Sequence, residues 1–78
     1  MPTVMRVEAY RLFFYASDRA EPEHIHVERD DKVAKFWLNP VRLERSGGFG
    51  KTELRVIHNV VENYQGELLE AWRDYFKN

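Results

Sequence analysis

Seventy-eight residues without cysteine, 44% apolar and 14% aromatic, give enough bulk for one hydrophobic core but exclude disulfide stapling, thiolate metal ligands and a cysteine nucleophile. Twelve basic and thirteen acidic residues leave a net charge of −1, which argues against indiscriminate binding to nucleic acid or to an anionic membrane. The stretch from Met1 to Arg6 lacks a signal-peptide pattern and no apolar run approaches the ~20 residues that span a bilayer, so one cytoplasmic domain, 1–78, too small for a deep enclosed cavity, is expected.

From Val4 to Ala16 the chain is rich in β-branched and aromatic residues, with Arg6, Glu8 and Arg11 spaced as on a half-exposed sheet. A hairpin turning near Glu8 to Tyr10 is predicted. Ser17 to Glu23 is polar and contains Pro22, which cannot donate to a ladder, and reads as a connection. His24-Ile25-His26-Val27-Glu28 then alternates strictly, Arg29 to Lys32 reads as a four-residue loop, and Val33 to Leu38 returns as the partner strand. Counting outward from that loop pairs His26 with Lys35 and His24 with Trp37. Ile25, Val27, Ala34, Phe36 and Leu38 then face the core, while His24, His26, Glu28, Lys35 and Trp37 share the opposite, solvent-accessible face.

Val41 to Arg45 reads as a short edge strand before the turn Ser46-Gly47-Gly48-Phe49-Gly50. Gly50 with Glu53 resembles a helix start with a weak cap and an acid placed for a capping box. Leu54, Ile57, Val61, Tyr64, Leu68, Ala71 or Trp72, and Tyr75 recur at helical intervals. One helix over 51–76 would be ~39 Å long, more than so small a domain accommodates. Gly66 is the expected break, giving helices 51–64 and 66–76. The fold class expected is therefore α+β, with a four- or five-stranded antiparallel sheet over residues 3–45 and two C-terminal helices on one face.

The constellation that carries chemistry is His24-x-His26-x-Glu28. Residues i and i+2 of a strand lie ~7 Å apart on one face, so two imidazoles can converge on one ligand. As a metal-binding module, His24, His26 and Glu28 would supply three ligands and leave a position for water. As a metal-independent ribonuclease needing no cofactor, His24 and His26 would divide general acid and base work on a phosphodiester. Lys35 would stabilise the developing charge there, and Trp37, with Phe13 or Tyr15, would stack unpaired bases. Exposed histidines without a role are the bland alternative.

Charge is unevenly spread. Lys32 to Arg55 holds six bases against two acids, between acidic flanks. Arg42 and Arg45, with Lys32, Lys35, Lys51 and Arg55, are candidate contacts for an acidic protein or an RNA backbone.

Glu21-Pro22-Glu23-His24-Ile25-His26-Val27, Ala34 to Val41, Ser46-Gly47-Gly48-Phe49 and Leu68 to Phe76 together resemble the bacterial family catalogued as domain of unknown function 4160. The resemblance spans nearly the whole chain in order. It implies the toxin half of a type II toxin–antitoxin pair, with a small antitoxin encoded by a neighbouring gene, and singles out Glu21, Pro22, His24, His26, Lys35, Phe36, Trp37, Pro40 and Trp72. Gly50 and Asn39 depart from the family pattern, where serine and aspartate are expected. Two functions from different classes follow as expectations: an RNA-directed toxin, or a non-enzymatic binding module.

Overall fold

The computed structural model describes residues 3–77. Met1 and Pro2, part of the stretch read as lacking an export signal, lie outside the described residues, as does Asn78. Five antiparallel strands cross the sheet in chain order: β1 (Thr3–Val7), β2 (Tyr10–Phe13), β3 (His24–Arg29), β4 (Lys32–Leu38) and β5 (Val41–Arg45). Two helices follow, α1 (Lys51–Asn63) and α2 (Gln65–Phe76), and a short 3-10 helix, Ala16–Ala20, lies between β2 and β3. None of the helices is long and apolar enough to cross a membrane.

The β3–β4 register is the one counted from the sequence: His24 opposite Trp37, Ile25 opposite Phe36, His26 opposite Lys35, Val27 opposite Ala34 and Glu28 opposite Val33. The pairing continues to Arg29 and Lys32, so the turn is tighter than the four-residue loop expected. Asp30 makes that possible by adopting a left-handed φ of 57°, a conformation aspartate tolerates better than most residues. Glu8 does the same, at φ 54°, in the β1–β2 turn.

Alternation along the strands sends Leu12, Ile25, Val27, Ala34, Phe36 and Leu38 to one face, where all are at most 1% exposed. Ile57 and Val61 from α1 and Leu68 and Trp72 from α2 close over them. Each buried Leu, Ile, Val or Phe among them contributes about 1.5–3 kcal/mol by leaving water, so this layer is the main stabilising element. Tyr75, expected on the same stripe, is 46% exposed, and Phe76 packs against the core instead.

The helices part at Tyr64 rather than at Gly66, which lies within the first turn of α2. There the chain bends while the Tyr64 side chain packs on the core, and Gln65 Nε2 donates to the Leu38 carbonyl at 2.7 Å, tying the bend to the end of β4. The break is thus set by tertiary anchoring and not by glycine.

No capping box forms at the start of α1. Glu53 instead receives Arg29 Nε at 2.6 Å and Nη2 at 2.8 Å, and the Tyr10 hydroxyl at 2.9 Å. This fork fastens α1 to β2 and β3. The Arg29 guanidinium outweighs the cost of partial burial and, helped by Tyr10, holds the Glu53 carboxyl below its ordinary value. A depressed carboxyl stabilises the fold above its unfolded pKa and ceases to do so as pH falls through the folded value. Wild type is therefore expected to melt higher than Glu53→Gln at pH 7, and the gap to close below about pH 4 in thermal melts followed by circular dichroism. A gap independent of pH would mean that the ion pair does not contribute.

Candidate functional site

On the face away from the helices the sheet is not open to solvent. The connection over residues 14–23 folds back across β3, and the expectation of solvent-accessible histidines is corrected: His24 is 0% exposed, His26 7% and Lys35 7%. Alternation fixes the face a side chain takes, but whether that face stays open depends on the route of the next connection.

Asp18, in the 3-10 helix, is the residue that brings the site together. Its backbone N–H donates to the Tyr15 carbonyl at 3.0 Å, and the Tyr15 N–H donates back to Asp18 Oδ2 at 2.8 Å. That reciprocal pair fixes the carboxylate over the strand. The same Oδ2 lies 3.1 Å from His26 Nε2, which donates to it, and 3.0 Å from His24 Nε2, which is not aligned for a hydrogen bond. On its other side, His24 Nδ1 lies 2.9 Å from the Pro22 carbonyl.

Rings fill the rest of this second layer. Phe13 stacks on His26 with centroids 5.3 Å apart, Tyr15 meets His26 edge-on at 4.9 Å, and Trp72 of α2 comes within 4.9 Å of His24. Burial raises the Asp18 carboxyl, but the Tyr15 N–H, together with the positive charge of the two imidazoles when they are protonated, overcomes this and holds it below its ordinary value. Burial lowers His26 below an ordinary imidazole against the pull of Asp18, with further pushes from His24 and then Lys35.

Lys35 stands opposite His26 as expected, yet its ammonium is committed: Nζ donates to Glu21 Oε1 at 2.6 Å and lies 4.9 Å from the centre of the Trp37 ring. Trp37 is half-buried, covered by that ammonium and met edge-on by His24, so it is not an open stacking platform. Glu28 belongs elsewhere, since it pairs with Arg11 at 2.7 Å, and the carboxylate beside the imidazoles is Asp18. Of the residues singled out by resemblance, Glu21, His24, His26, Lys35, Trp37 and Trp72 meet in this one cluster. Asp18 was missed; the available signal was an acid in the connection directly preceding the His-x-His strand.

The basic stretch is divided by the sheet. Arg42 stands opposite Trp37 and, past an irregularity in the pairing, Arg45 stands opposite Lys35, so both exposed arginines flank β5 on the face away from the helices. On the helical side an open groove of about 400 Å³ runs between β5 and α1, lined by Phe36, Leu43 and Leu54 with Lys51, Arg55, His58 and Asn59. β5 is one of the two edge strands of the sheet, and among the described residues nothing pairs with its outer edge.

Comparison with curated proteins finds no match, and comparison with solved structures finds none either. The model of one family, described as Domain of unknown function (DUF4160), matches residues 9–73, from the β1–β2 turn to the last turns of α2, and the chain belongs to that family.

Proposed function

We propose that this chain is the toxin half of a two-gene toxin–antitoxin pair and that it works by binding, with an extended acidic segment of its antitoxin adding as a strand alongside β5. The toxin role rests on the family resemblance. The docking mode is carried by one observation: among the described residues nothing pairs with the outer edge of β5, which lies beside a groove holding Leu43 and Leu54, with Lys51 and Arg55 of α1 on one face of the sheet and Arg42 and Arg45 of β5 on the other. An added strand satisfies the outer backbone groups of β5 and directs alternate side chains to the two faces. One set reaches Leu43, Lys51 and Arg55, and the other passes Arg42 and Arg45. Acidic residues on the partner suit both.

Acid–base cleavage of RNA asks more of the site. Two imidazoles would have to reach a phosphodiester, and both are covered, while Lys35 is held by Glu21. Burial of the pair favours binding over catalysis.

Copurification with the neighbouring gene product tests this reading. Arg42→Glu combined with Arg45→Glu is expected to weaken association by on the order of tenfold or more, with the salt dependence reduced and the fold unchanged by circular dichroism. Both side chains are exposed, so folding is not at stake. Undiminished binding by the folded double variant would place the interface elsewhere, and binding of RNA in preference to the neighbour would replace the protein partner. Expression without the neighbour is expected to arrest growth, and coexpression to restore it; harmless expression would remove the toxin role.

A further inference from the structure

On the covered face of the sheet, Asp18 Oδ2 and the imidazole nitrogens of His24 and His26 converge, with their ligand atoms within 4.8 Å of one another. His24 supplies the decisive detail. Its Nδ1 lies 2.9 Å from the Pro22 carbonyl, and because a carbonyl only accepts, Nδ1 carries a proton. In the neutral ring Nε2 is then a lone pair, wholly buried and without a hydrogen-bond partner. It faces a carboxylate oxygen, another acceptor, at 3.0 Å. Two buried acceptors at that separation are unfavourable unless a positive centre joins them.

A proton on Nε2 would give an ion pair with Asp18 at 3.0 Å but not a hydrogen bond, because the line from nitrogen to oxygen that one requires is not provided. A metal ion has no such requirement, because it lies off that line at the apex of the triangle that includes His26 Nε2, itself 3.1 Å from the same oxygen. Metal–ligand bonds of ~2.0–2.2 Å in a tetrahedron place ligand atoms ~3.3–3.6 Å apart. The observed 3.0 and 3.1 Å therefore open by a few tenths of an ångström, and the separation between the two imidazole nitrogens, within 4.8 Å, adjusts to the same value. The Pro22 carbonyl is also the kind of partner that orients a ligating imidazole by holding its other nitrogen.

We propose that Asp18, His24 and His26 form a binding site for one divalent transition-metal ion of the zinc class. The ion displaces the proton shared by His26 and Asp18, and water reaching past the partly exposed Asp18 completes four-coordination. Because Asp18 comes from the 3-10 helix and both imidazoles from β3, the ion clasps the connection over residues 14–23 to the sheet. Glu28 is no ligand.

The test is titration of the metal-stripped protein with Zn²⁺ against a chromophoric chelator, with Co²⁺ as a spectroscopic probe. One ion per chain, the visible absorption of four-coordinate cobalt and a raised melting temperature are expected. Asp18→Asn keeps the shape of the side chain and is expected to lose at least ~100-fold in affinity, more than is typical for loss of an outer partner. Glu28→Gln is expected to bind as wild type. Failure of the folded wild-type protein to bind either ion overturns the proposal whatever the variants do. Retained affinity in folded Asp18→Asn places the ion elsewhere and overturns it equally.

Discussion

Phe36→Ala is expected to cost about 3–5 kcal/mol of folding stability, the range for removing a large buried aromatic side chain. Phe36 is 1% exposed at the centre of β4, opposite Ile25 on one neighbouring strand and Leu43 on the other. Its ring also meets His58 of α1 edge-on at 5.9 Å, so it touches both layers of the fold. Truncation leaves a cavity walled by rigid strands, which cannot collapse to fill it. A chain of this length has a total stability of only about 4–12 kcal/mol, so the variant retains a small margin or none. Urea unfolding followed by circular dichroism reads the loss directly as a lower midpoint at nearly constant slope. A loss under ~1 kcal/mol would show that the interface between sheet and α1 is loosely packed.

A comparable loss is expected from a far smaller change, Gly47→Ala. Gly47 has φ 63°, and a Cβ there would lie 1.9 Å from the Val33 carbonyl oxygen. The left-handed backbone alone costs a residue with a side chain about 1–3 kcal/mol. The clash adds to this, because its partner is backbone held in the β3–β4 hairpin and cannot swing aside. Gly66→Ala is the matching control. Nothing lies within 4 Å of a Cβ at Gly66, in the first turn of α2, and alanine is expected to stabilise the fold by about 0.5–1 kcal/mol. If both substitutions moved the melting temperature in the same direction, the account of the 46–50 turn would be wrong.

The sheet could be read from the chain because its signals are local. The alternation in His24 to Glu28, and a turn short enough to count across, set the register of β3 and β4 to the residue. The helical stripe placed Ile57, Val61 and Leu68 correctly for the same reason, and of its alternatives Ala71 and Trp72 the structure buries Trp72. What could not be read depends on contacts between distant parts of the chain. Glu53 carries the spacing of a capping box, yet a guanidinium from β3 offers it a stronger, charge-assisted partner. Gly66 looks like the natural helix breaker, yet Gln65 fastens the bend to the end of β4. The candidate site was half legible for the same cause. Periodicity brought His24 and His26 to one face, but Asp18 reaches them only through the path of an irregular connection, for which no period exists.

The order of the strands has a consequence for how the chain finds its fold. Each strand pairs only with its neighbours in sequence, and the turns at 8–9, 30–31 and 39–40 close very short loops. The entropy of closing a loop grows with its length, so these three hairpins can zip early and at little cost. The junction of β2 with β3 is different, because the whole connection over residues 14–23 must be drawn in before Leu12 can pair with Val27. That closure joins the β1–β2 hairpin to the three strands β3 to β5, and the segment that has to be ordered for it is the one bearing Asp18. The polar cluster beneath the connection thus forms as the two parts of the sheet meet, whereas the groove beside β5 is assembled when α1 packs on the later hairpin.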